Sequence, residues 1–461
     1  MILSLFHTLL IASVGYITPI ISEQQANAQN TTSAQELNSS NKPLIDLMTR
    51  NLTDVVSGMS SKVFNNVTSP SIVISPENNT IYLSYSKTEN NKTNIYLVNS
   101  TDGGESFSPP VRVNNIAGDA TKSPWTSTKI VLGPNNEIYV LWQVIDESNK
   151  EFKYGTSSLR LAKSLDGGAT FLPTTRPAND TVGEKAFFDL AVSKNNSLFI
   201  TYLDSFSNVT NYDISYPSKA KLLRSFDGGQ SFEGPIVIDE TSCDCCKTAA
   251  VTADNNEVYI LWRHANHTAK ETYSNGSNPY NYEDKLGEGV IYEVIRDIYI
   301  THSNDSGKAE SFVPAIRIHA DNWYMNGCPS AGPALGFDSK GVLHVSWFTG
   351  GGAMPGTYYA NSTDSGNNFS KPLPVLADKW VPQSQSNLAI DGNDNVWMAI
   401  TDGRNDTNNH VFVAVKTADG RLLKNQLFGI GEDPMISSGT NLTGIVWTDK
   451  DKIKLAVMDL K

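Results

Sequence analysis

Basic residues are scarce in this chain of 461 residues. Its 36 lysines and arginines stand against 48 aspartates and glutamates, which gives a formal net charge of −12. Sequence-independent binding of DNA or RNA needs clustered positive charge, so nucleic acid is not an expected partner. Four cysteines are too few for a small domain held together by disulfides. No P-loop or dinucleotide fingerprint occurs in a strand-to-helix context, which argues against a nucleotide cofactor.

Long apolar runs are absent except at the N-terminus, where residues 1–21 are almost free of charge. The A-N-A pattern that ends at Ala28 is typical of a signal-peptide cleavage site. We therefore expect residues 1–28 to be a signal peptide, residues 29–60 a flexible polar tether and residues 61–461 the folded domain. An uncleaved membrane anchor is the alternative, because the apolar stretch is nearly long enough to span a bilayer.

Sequons of the form N-x-[ST] recur along the chain, from Asn30 to Asn441. In an exported protein each of them is a potential surface acceptor for a glycan. Together with the predicted signal peptide, they favour a secreted or cell-surface glycoprotein.

One short motif is repeated along the chain. Five segments match Ser-x-Asp-x-Gly-x-x-Phe or a close variant, and their aspartates are Asp102, Asp166, Asp227, Asp305 and Asp364. In such a turn the carboxylate can accept backbone N–H groups, and the glycine supplies a positive φ. The segments resemble the Asp-box, or BNR, repeat of sialidase-like β-propellers. The resemblance implies an all-β fold and a structural role for these aspartates.

A second series of apolar strands runs alongside this motif. Seven five-residue strands end in an aromatic residue in six cases, at residues 81–85, 138–142, 198–202, 258–262, 343–347, 396–400 and 443–447. Each follows a hairpin turn, so a unit consists of strand A, a tight turn, strand B, a loop, strand C, the motif turn and strand D. The aromatic position is expected to pack in the core between units.

The last unit is incomplete and predicts how the ring closes. Six units are complete, from about residue 69 to residue 428, and the seventh has strands A, B and C only. A segment near residues 62–67 is expected to supply its fourth strand, which would remove the open edges. We predict a seven-bladed β-propeller of four-stranded antiparallel blades, with six blades as the alternative.

In a propeller of up-and-down blades, the connections between strands lie on two opposite faces. The A–B and C–D turns share one face, and the B–C loops and D–A connections share the other, here called the long-loop face. The longest B–C loops are residues 146–156, 204–219 and 264–292. We expect the binding site on this face, near the mouth of the central channel.

The four cysteines are expected to meet on the long-loop face. They open strand A of the fourth and fifth units, as Cys243, Cys245, Cys246 and Cys328. One interpretation is disulfides, with Cys328 bridged to one of the other three. The other is a copper or zinc site, with the cysteines and His264 as ligands. The C-D-C-C and G-C-P segments also resemble a subgroup of uncharacterised secreted BNR-repeat proteins, which implies no known activity.

Binding of a carbohydrate or a surface protein is the predicted function. The expected ligand contacts come from Arg263, His264, Trp323 and Asp402. The alternative is a sialidase-type glycoside hydrolase, whose candidate catalytic residues are Arg263, Asp204, Tyr358 and Arg404. For this alternative the resemblance implies a sialidase-type site, which consists of three arginines, a tyrosine nucleophile with a glutamate partner, and an aspartate acid/base. Only Arg263 and Arg404 are expected at the channel mouth, and no R-I-P element occurs, so the binding module is favoured. A copper- or zinc-binding extracellular protein is the third candidate.

Overall fold

The computed structural model describes residues 51–122, 127–146, 156–178, 183–205, 218–273, 289–325, 328–352, 354–404 and 407–461. The predicted signal peptide and most of the predicted tether lie outside these residues. Within them, no helix combines the length and the apolar composition needed to cross a bilayer.

The first strand of the chain and the first three blades have the following bounds. Strand β1 is Val56–Asn65. Blade 1 contains β2 (Thr68–Ile74), β3 (Ile81–Glu89), β4 (Lys92–Ser100) and β5 (Val111–Arg112). Blade 2 contains β6 (Lys129–Leu132), β7 (Ile138–Asp146) and β8 (Thr156–Ser164). Blade 3 contains β9 (Glu184–Val192), β10 (Leu198–Ser205), β11 (Ser218–Ser225) and β12 (Glu233–Ser242).

The fourth blade carries an insertion, and the remaining blades are regular. Blade 4 begins with β13 (Ala249–Thr252) and β14 (Val258–Arg263). The insertion is a separate hairpin of β15 (Asn266–Tyr273) and β16 (Gly289–Ile295). The blade ends with β17 (Ile298–Ser303), a 3-10 turn (Ala309–Ser311) and β18 (Ile316–Arg317). Blade 5 contains β19 (Ala334–Phe337), β20 (Leu343–Thr349), β21 (Gly356–Ser362) and β22 (Leu373–Ala377). Blade 6 contains β23 (Asn387–Ile390), β24 (Val396–Asp402), β25 (His410–Lys416) and β26 (Leu422–Ile430). Blade 7 contains β27 (Glu432–Ser438), β28 (Leu442–Asp449) and β29 (Lys452–Leu460), with β1 as its fourth strand.

The predicted seven-bladed, all-β propeller is confirmed, and the alternative of six blades is wrong. The inner strands β2, β6, β9, β13, β19, β23 and β27 contact one another in this order, and β27 contacts β2, so the ring is closed. All strand pairs within the blades are antiparallel. Blade 2 shows three strands, and the isolated bridge between Leu161 and Thr175 occupies the place of its fourth.

The N-terminal strand closes the ring as the sequence predicts. Strand β1 pairs with β29 from Val56 to Asn65, so the closing segment starts earlier than the expected residues 62–67. Leu52 is also fully buried, in a core cluster with Trp397 and Phe428. The ordered ring therefore includes residues that the sequence assigns to the tether, because apolar side chains before residue 61 complete the core of the last blades.

The aromatic fifth position of strand B lies in the core between blades, as predicted. Its tryptophans are almost completely buried and are Trp142, Trp262, Trp347 and Trp447. Each indole N–H donates to an acceptor in the connection or the outer strand that precedes its own blade, at 2.6 to 2.9 Å. Buried tryptophan needs such a partner, and here the hydrogen bond also joins consecutive blades.

The repeated motif turns share one hydrogen-bond pattern, in which the aspartate is an acceptor. In the third copy the Ser225 hydroxyl donates to Asp227 at 2.8 Å, and the backbone N–H of Ser231 donates to the same carboxylate at 3.0 Å. The pattern recurs at Asp102, Asp166 and Asp364. The longer fourth copy differs, because Asp305 forms an ion pair with Lys308 at 2.7 Å instead. Four of the five aspartates thus hold their own turns.

These turns predict a specific loss of stability in acid. Hydrogen bonds from the Ser106 hydroxyl and backbone N–H lower the pKa of Asp102 to about 2, and those from Thr170 do the same for Asp166. A lowered pKa stabilises the fold above the ordinary value of 3.8, and this contribution is lost as the pH falls toward about 2. We expect the double variant Asp102→Asn/Asp166→Asn to lose less Tm than the native chain across that range, measured by circular dichroism. Asp254→Asn, at an exposed carboxylate outside these turns, should keep the native slope, and three equal slopes would contradict the prediction.

Candidate functional site

The cysteines form two disulfides, as the first interpretation expects. Cys243 is bonded to Cys246 with their Cα atoms 5.6 Å apart, and Cys245 is bonded to Cys328 with their Cα atoms 6.0 Å apart. The second bond joins the starts of blades 4 and 5. Sulfurs in disulfides are not thiolates, so copper or zinc binding stays a prediction for a reduced form of the chain.

Arg263 is buried at the end of β14, and its charge is used by the fold. Its Nε and Nη2 donate to the carbonyl oxygen of Ala331 at 3.0 and 2.9 Å. Nη1 donates to the carbonyl oxygen of Arg296 at 2.9 Å, and Nη2 also donates to that of Phe348 at 2.6 Å. The guanidinium lies 4.9 Å from the ring centre of Trp323. Arg263 and Trp323 thereby connect blades 4 and 5, and these contacts give no support to their predicted ligand-binding role.

Burial sets the charge state of this arginine. It lowers the pKa of Arg263 to about 9, although the carboxylates of Asp321 and Asp297 act in the opposite direction. The side chain therefore remains charged at neutral pH. A buried cation of this kind stabilises a fold only while its hydrogen-bond partners are in place.

His264 is bound to a carboxylate and not to a cysteine. Its Nδ1 lies 2.9 Å from Oδ2 of Asp239, which also accepts the indole N–H of Trp262 at 2.6 Å. Burial would raise the pKa of Asp239, but His264 together with hydrogen bonds from Thr241 and Ser242 holds this pKa below the ordinary value. The imidazole ring also contacts Tyr299 at 4.9 Å between ring centres. His264 therefore joins the outer strand of blade 3 to blade 4.

Asp204 belongs to a buried ion cluster within blade 3. Its carboxylate lies 3.9 Å from Nζ of Lys185 and also forms an ion pair with Lys221. Both Asp204 and Lys185 are almost fully buried. An aspartate held between two ammonium groups balances charge inside the blade, and it is not among the described residues of the cavity introduced below.

The remaining catalytic candidates are also occupied by local contacts. The Tyr358 hydroxyl donates to the carbonyl oxygen of Met354 at 2.8 Å, and burial raises the pKa of this phenol. A raised pKa makes a phenol a weaker nucleophile at neutral pH. Arg404 binds Asp402 through two hydrogen bonds, at 2.9 and 2.8 Å, and also binds Asp378 at 3.1 Å. The charge of Arg404 is therefore balanced by two carboxylates.

A central cavity of about 280 Å³ opens on the long-loop face. Its wall consists of residues at the starts of the inner strands of blades 2 to 7, together with residues at and after the end of β24. Polar side chains dominate the wall, and four of them are the amides Gln383, Gln385, Asn387 and Asn409. The predicted ligand residues Arg263, His264, Trp323 and Asp402 do not line it within the described part of the chain, although Gly403 does.

One side of the central cavity carries a cluster of charged residues from blades 2 to 4. Nζ of Lys129 lies 2.7 Å from Oδ1 of Asp189, whose Oδ2 accepts the backbone N–H of Ala250 at 3.0 Å. Burial would raise the pKa of Asp189, but Lys129 and Lys247 lower it. Burial also lowers the pKa of Lys247 to about 8, although Asp189 acts against this shift. Lys247 thus remains mostly charged at neutral pH.

Irregular backbone brings two further side chains into the wall. Strands β2, β9 and β27 each contain a β-bulge at the same place, and the bulge residues Ser69, Phe187 and Asp433 have φ of 54°, 52° and 51°. Such values are strained for residues other than glycine and are found at functional sites. Bulges re-aim side chains, and Phe187 and Asp433 both line the central cavity.

The opposite side of the central cavity is acidic. Enclosure by the wall raises the pKa of Asp433 to about 6, and the neighbouring Glu432 adds to this shift. Glu432 accepts the side-chain amide of Asn409 at 2.8 Å. The backbone N–H of Asp433 donates to the Thr401 hydroxyl at 2.9 Å, which fixes the backbone of the bulge.

Three polar groups at this cavity have no partner among the residues that the structure describes. Ser384 is only 7% exposed, yet its hydroxyl makes no hydrogen bond. The ammonium group of Lys247 and the carboxyl group of Asp433 likewise have no hydrogen bond or ion pair within that part of the chain. Buried polar groups in proteins are normally paired, which makes the buried hydroxyl of Ser384 the unusual one, whereas Lys247 is partly exposed and Asp433 is exposed to the cavity.

Sequence reasoning expects a site on the long-loop face, where this cavity opens, but it does not name the residues that line the cavity. Two signals point to them. Asp433 precedes Pro434, as Ser69 precedes Pro70 at the bulge of blade 1, and Lys247 directly follows the C-D-C-C segment. Neither signal identifies a cavity without the ring geometry.

Comparison with known proteins shows likeness in fold alone. No protein family and no curated protein matches the chain in sequence. Among solved structures it is similar to a Hadza microbial sialidase, with 12% identity, a TM-score of 0.44, and coverage of 80% of this chain and 73% of that one. It is also similar to the α-L-arabinofuranosidase Arb93A from Fusarium graminearum, with 13% identity, a TM-score of 0.44, and coverage of 79% and 98%. The polysaccharide lyase Uly1 shares 9% identity with a TM-score of 0.48, over 85% and 90% of the two chains.

Proposed function

We propose that this chain is an exported, carbohydrate-binding β-propeller whose ligand occupies the central cavity. The observation that carries the proposal is the set of three unpartnered polar groups, on Ser384, Lys247 and Asp433. Side-chain amides around them and the ring of Phe187 beside them offer the mixture of hydrogen-bond groups and apolar surface that small-molecule sites use. The volume lies near the lower end of the usual range for ligand pockets, about 300 to 1,000 Å³, which favours a small saccharide over a protein segment.

The hydrolase alternative has less support from the same cavity. A sialidase-type site, as the sequence resemblance implies, would hold its substrate with three arginines. Among the described residues that line the cavity the basic ones are Lys129 and Lys247, and none is an arginine. Arg263 and Arg404 are bound to carbonyl and carboxylate oxygens elsewhere. Binding without turnover is therefore the preferred function.

Two serines of the same segment provide a matched test. Ser384 lines the cavity and Ser386 does not, and both are buried with unpartnered hydroxyl groups. We expect Ser384→Ala to weaken the binding of glycans that the native chain retains on a glycan array by about five- to tenfold, since one hydrogen bond to the ligand is lost. Ser386→Ala should leave binding unchanged.

The readout is the dissociation constant of the best array glycan, measured by isothermal titration calorimetry. Absence of any glycan binding by the native chain would contradict the proposal. Equal losses in the two serine variants would place the ligand outside the cavity. Release of free sugar from the bound glycan, measured in the same samples, would support the hydrolase alternative instead.

A further inference from the structure

The two sides of the central cavity carry opposite charge. On the side of blades 2 to 4, Lys129 is paired with Asp189, so the ammonium group of Lys247 remains as the excess charge. On blade 7 the carboxyl groups of Glu432 and Asp433 stand next to each other in the wall. In a closed ring of seven blades, blade 7 lies across the axis from blades 3 and 4. A ligand in the cavity therefore meets a positive group on one side and negative groups on the other.

These charged groups are available to a ligand. Neither Lys247 nor Asp433 has a side-chain partner within the described ranges, and Glu432 is exposed with one contact, to the amide of Asn409. The buried hydroxyl of Ser384, which also has no partner, lines the same space. Glu432 and Asp433 are exposed carboxylates, and the buried Ser384 hydroxyl and the ammonium group of Lys247 in the same wall distinguish this site with two poles from a cluster of surface acids.

We propose that this cavity selects a zwitterionic saccharide, whose anionic group pairs with Lys247 and whose ammonium group pairs with Asp433 and Glu432. The inference rests on the proposed function and specifies the class of its ligand. A neutral sugar would leave both poles unpaired in a partly desolvated site, and a singly charged sugar would leave one pole unpaired. Complementary charges on both sides thus provide selectivity as well as affinity.

Four simple sugars test the anionic group and the ammonium group of the ligand separately. Muramic acid carries a free amine and a carboxylate, N-acetylmuramic acid keeps only the carboxylate, glucosamine keeps only the amine, and glucose has neither. We expect titration calorimetry of the full chain at neutral pH to show muramic acid binding about tenfold more tightly than either singly charged sugar. If a singly charged sugar binds as tightly as muramic acid, the zwitterion inference is wrong and the proposed function stands. If none of the four binds while the native chain retains another glycan on the array, the zwitterion inference is wrong and the proposed function stands; if no glycan binds at all, the proposed function is contradicted.

Two variants should give opposite patterns. Lys247→Met should weaken muramic acid and N-acetylmuramic acid by about tenfold and leave glucosamine unchanged, because only the anionic group loses its partner. Asp433→Asn should weaken muramic acid and glucosamine and leave N-acetylmuramic acid unchanged, and asparagine tolerates the positive φ at this position. The exposed ion pair of Lys194 and Asp254 supplies the controls Lys194→Met and Asp254→Asn, which should change nothing. Equal losses for all three charged sugars in either cavity variant would overturn the assignment of the poles.

Discussion

Replacing Arg263 by alanine is expected to lower the free energy of unfolding by about 3 to 5 kcal/mol, because it removes a buried cation together with its partners' hydrogen bonds. The carbonyl oxygens of Ala331, Arg296 and Phe348 would lose their donor in the interior. The ring of Trp323 would also lose the guanidinium packed against it. Each buried acceptor left without a donor costs about 1 to 3 kcal/mol, and the vacated volume adds a cavity term.

Denaturant unfolding followed by tryptophan fluorescence measures this loss. Arg421→Ala is the matched control, because Arg421 is exposed and forms surface ion pairs with Asp54 and Asp419. Its expected cost is below about 1 kcal/mol. A small effect for Arg263→Ala would contradict the structural role. If saccharide binding then disappeared while stability remained native, the ligand-binding role predicted from the sequence would be restored.

The fold could be predicted because its information is local and repeated. Four of the five motif turns carry their own acceptor, as Asp227 shows, and six of the seven B strands end in an aromatic residue, as Trp262 shows. Because the copies recur at a regular spacing, the repeat units can be counted even where one copy is irregular, as at Asp305. The missing fourth strand of the last unit then implies a closing strand from the N-terminal side, which is β1.

The site could not be predicted in the same way, because it depends on several distant segments at once. Lys247, Ser384 and Asp433 belong to three blades and meet only when the ring closes. Asp433 reaches the cavity through a bulge with positive φ, which strand periodicity does not reveal. The sequence also suggests function wherever charge is unusual, and at Arg263 the unusual charge serves the contact between two blades. A rare residue in the repeat therefore indicates an important position, and the contacts of Arg263 indicate a structural role, while its ligand-binding role stays a prediction.

Removing the disulfide between Cys245 and Cys328 is expected to destabilise the chain far more than removing its neighbour. The first bond closes a loop with a sequence separation of 83, and the bond between Cys243 and Cys246 closes one of only 3. Loop-closure entropy then predicts losses of about 4.5 and 2 kcal/mol for the two bonds. Because the longer loop contains all the strands of blade 4, its bond restricts far more of the unfolded chain.

Paired alanine substitutions allow the contributions of the two disulfides to be compared directly. Cys245→Ala/Cys328→Ala and Cys243→Ala/Cys246→Ala each remove both sulfurs, so no single thiol remains to exchange with the other bond. Lost packing acts against the prediction, since Cys243 and Cys246 are more deeply buried than Cys245 and exposed Cys328. A larger loss for the Cys245 and Cys328 pair in denaturant unfolding must therefore come from the long loop. Equal or reversed losses would contradict this account, and free thiols with bound copper or zinc in the native chain would favour the metal site in place of the disulfides.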